Sequence, residues 1–261
     1  DDSDEVAVLK QRLVAKFIDI LVAWRIYNFR SIAYSTMQYA MFLVMRDIRG
    51  LDPEPLANKL HARLAEEGET FSANSPYHRP GIGLYVHQQN RYALHRLLAR
   101  ITDYVETASG NPSHYVEYTA DSGRNRFEVE HIWAEQSWAE DRKGFRSWYP
   151  QEENFREARN RIGALLLIPK SVNASYSART YAQKRGQYVT QNALAQTFCD
   201  QAYQNNPAFL AFLQRSNPWA LRDMAERLLE AHHRGLWDQA NEQQLEPLRQ
   251  LVLEAEALVE G

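Results

Sequence analysis

The sequence has few of the residues that build covalent crosslinks or thiolate metal centres. It contains one cysteine, Cys199, among 261 residues, which excludes an internal disulfide and any zinc site built on several cysteines. The longest apolar run near the start, residues 13–26, includes Lys16, Asp19 and Arg25, so it is too short and too charged for a bilayer span. These absences favour a reducing, cytoplasmic location and a core helix at residues 13–26.

The sequence also lacks a strong excess of charge of either sign. It has 30 Lys and Arg against 33 Asp and Glu, a net charge of −3. The distribution is uneven, because residues 156–188 carry seven basic residues and one acid, whereas residues 221–261 carry nine acids and four bases. The basic segment is typical either of a phosphate-contacting surface or of a solvated helix face.

The length of the chain and its first residues indicate how the protein is organised. A chain of 261 residues with 44% hydrophobic residues can bury a sizeable core. It begins Asp-Asp-Ser-Asp-Glu without methionine, which predicts a part excised from a longer protein.

Helical periodicity dominates the first part of the chain. Apolar residues recur at helical spacing from about residue 5 to 29, and Asp4 is the predicted N-cap. The same kind of pattern predicts further helices over residues 32–47, 55–66 and 86–105.

The pattern changes after residue 106. Residues 115–118 and 126–130 have strand character, and the apolar run at residues 162–168 ends at a proline, which indicates a buried strand. A helix is predicted from about residue 175 to 188. Strand, long loop, strand, turn and helix together form a ββα unit.

We therefore predict a mainly α fold, in which bundle-like helical flanks surround one ββα-metal unit. The predicted parts are an N-terminal helical region, the ββα unit and a C-terminal helical region, together one compact domain: residues 1–106, 107–190 and 191–261.

Glu130 and His131 stand side by side at the end of the predicted first strand. Adjacent strand residues point to opposite faces, so they serve one site only if the strand twists there. In a metal-dependent hydrolase a carboxylate holds a divalent cation and an imidazole activates water. We predict that Glu130 and Asn173 are oxygen ligands of the cation and that His131 is the general base. The alternatives are a structural histidine and, for Asn173, a helix N-cap.

Three basic residues on the predicted helix lie just beyond this site. Lys184, Arg179 and Arg185 are predicted to contact a phosphate backbone. The alternative is that they belong to an exposed basic helix face.

Four sequence features together resemble a known family. They are Glu130-His131-Ile132, the segment Arg-Ile-Gly-Ala-Leu-Leu-Leu at residues 161–167, Asn173, and the pair Tyr181 and Lys184. This arrangement resembles the HNH-type (ββα-metal) nuclease domain at the C-terminus of GmrSD-like and SspE-like modification-dependent restriction and phage-defence proteins. The resemblance covers residues 127–188.

The resemblance implies a function and partners. It implies hydrolysis or nicking of DNA with one Mg²⁺ or Mn²⁺ ion, in bacterial defence against phage. The implied partners are DNA and an N-terminal nucleotide-hydrolysing, modification-sensing domain that this sequence does not contain.

Two departures from the family pattern favour a different hypothesis. The proline expected after His-Ile is replaced by Trp133-Ala134-Glu135, and Ala164 stands where the family has the asparagine that orients the imidazole. Asn160 is too far back along the chain to be assigned that role from the sequence. The alternative function is a catalytically inactive DNA-binding or protein-interaction module with a degenerate HNH site.

Overall fold

The computed structural model describes residues 3–66, 84–123, 126–140, 145–176, 179–204 and 206–215. These residues are mainly helical and include one two-stranded sheet, which confirms the mainly α prediction. No helix in these ranges is long and apolar enough to cross a membrane. The cytoplasmic location stays a prediction.

The chain divides into two compact units between residues 78 and 79. The predicted division into residues 1–106, 107–190 and 191–261 stays a prediction, and much of its last part lies outside the described residues.

The first unit contains three helices: α1 (Asp4–Tyr27), α2 (Tyr34–Ile48) and α3 (Pro53–Ala65). The N-cap of α1 is Ser3, whose hydroxyl accepts a hydrogen bond from the backbone N–H of Val6. The prediction of Asp4 as the N-cap is therefore wrong by one position. Asp4 lies instead in the first turn, where a negative charge is favourable.

Helices α1 and α2 both pack on α3. Their apolar faces meet in a cluster of buried side chains: Phe17, Leu21, Val44, Leu56 and Leu60. Burial of such side chains is the main stabilising contribution to a helical unit of this size, because isolated helices are marginal in water.

The second unit contains the sheet and the remaining helices. In chain order these are α4 (Arg91–Ala108), α5 (Tyr115–Tyr118), β1 (Phe127–His131), α6 (Ser137–Glu140), α7 (Phe145–Trp148), α8 (Glu152–Asn160), β2 (Leu165–Pro169), α9 (Lys170–Tyr176), α10 (Tyr181–Tyr188), α11 (Ala193–Gln196) and α12 (Pro207–Arg215).

Strands β1 and β2 are antiparallel, with Phe127 opposite Pro169 and His131 opposite Leu165. The apolar run predicted as one strand begins with a 3₁₀ turn, Ile162–Ala164, and only its second half is β2. All of β2 up to Ile168 is buried, and α4, α9 and α11 pack against it. The continuous apolar sequence of this strand follows from that complete burial.

Two other predicted elements differ in the structure. Residues 115–118 form the short helix α5 instead of a strand, because the Asp103 carboxylate accepts hydrogen bonds from the backbone of His114 and the hydroxyl of Ser113 just before it. The predicted helix from residue 175 is two helices, α9 and α10. Helix α10 has its own capping box, in which Thr180 and Gln183 bond each other's backbone.

An aromatic cluster supports the connection between β1 and α8. Trp133 stacks on Phe155 with ring centroids 6.0 Å apart, and Tyr149 meets both rings edge-on. Phe155 has no exposed surface.

Truncation of this cluster is expected to destabilise the second unit. Phe155→Ala removes a fully buried ring, and we expect the free energy of unfolding to fall by about 3–5 kcal/mol. The matched control is Phe42→Ala in α2, where the ring is 60% exposed and the expected loss is below about 1 kcal/mol. Guanidinium unfolding followed by tryptophan fluorescence measures both, and equal losses would contradict this account of the core.

Candidate functional site

The candidate site lies at the end of β1, where the sequence places Glu130 next to His131. The alternation of a strand puts Glu128 and Glu130 on one face and His131 on the other. The two faces meet different elements, so the two neighbouring side chains have separate partners. Glu130 contacts α10, and His131 contacts the end of α8.

Glu130 forms a buried ion pair with Lys184 of α10. Glu130 Oε1 lies 2.5 Å from Lys184 Nζ, and the same ammonium donates a second hydrogen bond of 2.8 Å to the backbone oxygen of His131. Burial raises the pKa of Glu130 and lowers the pKa of Lys184, while the attraction between the partners opposes both shifts. The carboxylate is therefore already paired with a cation of the protein itself.

Tyrosine side chains surround this ion pair. Tyr176 and Tyr188 have no exposed surface, and the Lys184 ammonium lies 6.0 Å from the centre of the Tyr176 ring. Burial, together with the nearby charge of Glu130, raises the pKa of Tyr176 to about 12. Both hydroxyls therefore remain protonated at neutral pH.

His131 is held by Asn160, the last residue of α8. The ring Nε2 lies 2.8 Å from Asn160 Oδ1, so Nε2–H donates the hydrogen bond and Nδ1 carries the free lone pair of a neutral imidazole. Burial, with the positive charge of Arg159 second, lowers the pKa of His131 to about 3. The charges of Arg91 and Lys184 act in the same direction. His131 is therefore neutral at pH 7 in cationic surroundings.

Asn160 orients the imidazole, although its position four residues before Ala164 does not indicate this contact in the sequence. The end of α8 is fixed by residues far away in the chain, through a bridge between Tyr85 and Arg161 and a 2.8 Å hydrogen bond from Val86 N–H to the Asn160 backbone oxygen. Ala164 is fully buried, and its carbonyl accepts a hydrogen bond from Ile132 N–H beside the strand end. No local sequence signal indicates these contacts.

Asn173 does not lie with Glu130. It is in the middle of α9, not at a helix N-terminus, and its Nδ2 is 3.3 Å from Glu128 Oε2. Glu128 also accepts a 2.7 Å hydrogen bond from Arg126. The two predicted metal ligands thus have different partners, and the described part of the chain contains no group of three or more His, Cys, Asp or Glu side chains placed to hold a metal. Their roles as ligands stay predictions.

The three predicted phosphate contacts have different surroundings. Lys184 is 2% exposed and faces the interior, and Arg185 Nε donates a 2.7 Å hydrogen bond to the backbone oxygen of Phe198. Arg179 is partly exposed, and its side chain makes no ion pair with a described residue. Lys184 therefore has no access to a phosphate surface, whereas Arg179 and Arg185 are both partly exposed, and their phosphate contacts stay predictions.

Comparisons with known proteins give two matches of limited length. A family profile described as CobN/magnesium chelatase matches residues 179–244, about a quarter of the chain. An uncharacterized protein of Methanocaldococcus jannaschii, MJ0908, is 47% identical over 49 residues, which are 19% of this chain and 4% of that protein. No solved structure matches. The family match begins just before α10 and extends beyond residue 215, outside the described residues.

The predicted resemblance to HNH nuclease domains is wrong. The segment that supplied Tyr181 and Lys184 to that resemblance is similar instead to CobN/magnesium chelatase. The functions predicted from that resemblance are therefore also wrong: a DNA endonuclease or nickase, a role in restriction or phage defence, and a degenerate HNH module. The side-chain contacts are consistent with this correction, because Lys184 neutralises Glu130 inside the protein and does not face a phosphate surface.

The Glu130–Lys184 pair yields a test by double substitution. Lys184→Met leaves a buried carboxylate without a partner, and we expect the free energy of unfolding to fall by about 3–5 kcal/mol. The double variant Glu130→Gln/Lys184→Met is expected to lose much less than the sum of the two single losses, because no charge then remains buried.

The control for this cycle is the exposed pair Arg156–Glu152, whose atoms are 2.9 Å apart. Glu152→Gln is expected to cost less than about 1 kcal/mol. If urea unfolding shows that the double variant loses as much free energy of unfolding as the two single variants together, the pair is not coupled.

The pKa of His131 predicts a pH dependence of stability. Its folded-state pKa of about 3 is below the unfolded value near about 6.5, so between these pH values the unfolded chain binds a proton that the folded chain does not. His131 therefore makes its full contribution to the free energy of unfolding above pH about 6.5, and this contribution decreases as the pH is lowered.

Urea unfolding between pH 7 and pH 4 tests this expectation. The native protein should lose stability more steeply than His131→Gln, by up to about 1 kcal/mol per pH unit. Parallel pH profiles would show that His131 is not a depressed, neutral histidine. An NMR titration of the ring, assigned with the same variant, provides an independent measurement.

Proposed function

We propose that this chain is part of a chelatase-type enzyme that transfers a divalent cation to a chelating substrate, with His131 as the proton acceptor. The observation that carries the proposal is a neutral imidazole, oriented by Asn160 and surrounded by the charges of Arg159, Arg91 and Lys184. The partial family match supplies the reaction class.

The matched segment contributes directly to this site. It includes α10, and Lys184 on that helix holds both the Glu130 carboxylate and the carbonyl of His131. The segment that is similar to chelatases therefore supports the end of β1 on which His131 stands.

These residues can assist the proton release that accompanies metal binding by a chelator. Donor atoms must lose their protons before they bind a cation, so a chelator releases protons and becomes more negative. Arg159, Arg91 and Lys184 favour that negative form electrostatically. The negative charge in turn raises the pKa of His131, whose Nδ1 can then accept the departing proton. Release of this proton to water restores the neutral imidazole.

In this proposal the divalent cation is a substrate and not a resident cofactor. A fixed Mg²⁺ or Mn²⁺ ion at Glu130 and Asn173 does not fit, since Lys184 pairs with the first side chain and the second donates to Glu128. Magnesium requires several oxygen ligands in a near-octahedral arrangement, and these two residues do not provide a shared set.

The predicted partners, DNA and an N-terminal nucleotide-hydrolysing domain, stay predictions. The chain covers 4% of the M. jannaschii relative, so a larger protein or further subunits are part of the proposal. Arg179 is partly exposed, and it is the basic side chain that we assign to contact a phosphate-bearing partner.

A metal-insertion assay tests the proposed function. The probe is a synthetic water-soluble porphyrin without metal, mixed with Mg²⁺ or Co²⁺ and followed by the change in its visible absorption. We expect insertion to be faster with the full chain than without protein. His131→Ala should lower that acceleration by about 100-fold, the usual contribution of a positioned general base.

Two further variants make the assay specific. Asn160→Ala should lower the rate less than His131→Ala, because it releases the ring without removing it. His61→Ala, on the exposed side of α3, should leave the rate unchanged. Equal rates with and without the native chain, or an unaffected His131→Ala variant, would overturn the proposal.

A further inference from the structure

A pocket of about 380 Å³ lies beside β1, between that strand and the first turns of α4. This volume is within the range of small-molecule sites, roughly 300–1,000 Å³. Its lining includes six polar or charged side chains: Arg91, Tyr92, His95, Asp121, Arg126 and Glu128. All belong to the second unit.

The charges in this lining leave one positive charge without a partner. Glu128 pairs with Arg126 at 2.7 Å, and Asp121 pairs with Arg96, a neighbour of the pocket, at 2.6 Å. Arg91 makes no hydrogen bond or ion pair through its side chain with any residue in the described part of the chain, and it is exposed. The charge balance of the described lining residues therefore favours a ligand with a single negative charge.

Two further groups restrict the chemistry of the ligand. The Arg126 guanidinium is paired with Glu128, and its Nε has no accessible surface that a ligand could reach. His95 Nε2 lies 3.0 Å from the Phe127 backbone oxygen and donates to it, which leaves Nδ1 as an acceptor. Burial lowers the pKa of His95, so the ring is neutral. The pocket thus offers the exposed guanidinium of Arg91 and one neutral acceptor.

An aromatic ring completes the lining. Tyr92 is 62% exposed, so its ring is accessible to a ligand. Its hydroxyl accepts a 2.7 Å hydrogen bond from Arg96, whose guanidinium also lies 4.7 Å from the ring centre. These two contacts hold the ring in place as a surface on which a planar group can stack.

We propose that this pocket binds a small planar organic acid, an aromatic monocarboxylate that also carries a hydrogen-bond donor. The carboxylate binds Arg91, the ring packs on Tyr92, and the hydroxyl or N–H group donates to Nδ1 of His95. Arg91 also belongs to the cationic surroundings of His131, but Tyr92 and His95 do not take part in the proposed chelatase reaction, so binding measured without a metal tests the pocket separately.

Titration calorimetry with 4-hydroxybenzoate on the full chain tests this site. Saturable binding is expected below about 10 mM, as is usual for a ligand of this small size. Arg91→Gln should weaken binding at least about tenfold, the typical effect of losing a charge-assisted hydrogen bond. Arg91→Lys, which keeps the charge, should bind more tightly than Arg91→Gln. Arg12→Gln, an exposed residue of α1, is the matched control and should bind as the native chain does.

Two control compounds, one uncharged and one inorganic, define the outcomes that overturn the proposal. The uncharged 4-hydroxybenzamide should not bind measurably, and inorganic phosphate should bind more weakly than 4-hydroxybenzoate. Equal binding of either compound, an unaffected Arg91→Gln variant, or no saturable heat up to about 10 mM contradicts the site. Circular dichroism of each variant confirms that the fold is unchanged.

The position of the ligand has its own readout. If the acid occupies this pocket, the ring resonances of His95 shift on titration, and Tyr92→Ala weakens binding more than Tyr92→Phe. Heat of binding without a shift at His95 would place the acid elsewhere and would also overturn the proposal.

Discussion

The buried Glu130–Lys184 ion pair is the interaction on which the candidate site depends. Removing a carboxylate and an ammonium from water costs several kcal/mol for each ion, and only close contact between them offsets this cost. The pair can exist only when β1 and α10 are both in place, 2.5 Å apart at these two side chains. Because Lys184 also bonds the carbonyl of His131, the same contact fixes the strand end that presents the imidazole.

The cationic surroundings of His131 follow from this arrangement. Lys184 and Arg159 approach the strand end from two helices, and Arg91 lies close enough to affect the pKa values of both His131 and His95. An imidazole in such surroundings stays neutral, and a negative group beside it is favoured over a free cation. This electrostatic preference is the physical basis of the proposal that the site acts on an anionic chelator with its own donor atoms.

Part of this structure could be predicted from local sequence. Helical periodicity located α1, α2 and α3 to within a few residues, and the alternation of Phe-Glu-Val-Glu located β1. The errors arise from contacts with residues outside each segment, which single-sequence patterns do not contain. Residues 115–118 became helical because Asp103, eleven residues before His114, caps that turn. Half of the apolar run at residues 162–168 became a 3₁₀ turn because residues 84–86 hold its start.

The sequence alone determined that the chain is mainly helical, that it has no internal disulfide, and that Glu130 and His131 stand together at a strand end. Only the tertiary structure decided what these side chains do. It assigned Lys184 to Glu130, 54 residues away, and Asn160 to His131, 29 residues away. The physical reason is that a partner across such separations depends on how helices pack around the sheet, and that packing is not encoded in the periodicity of any single segment.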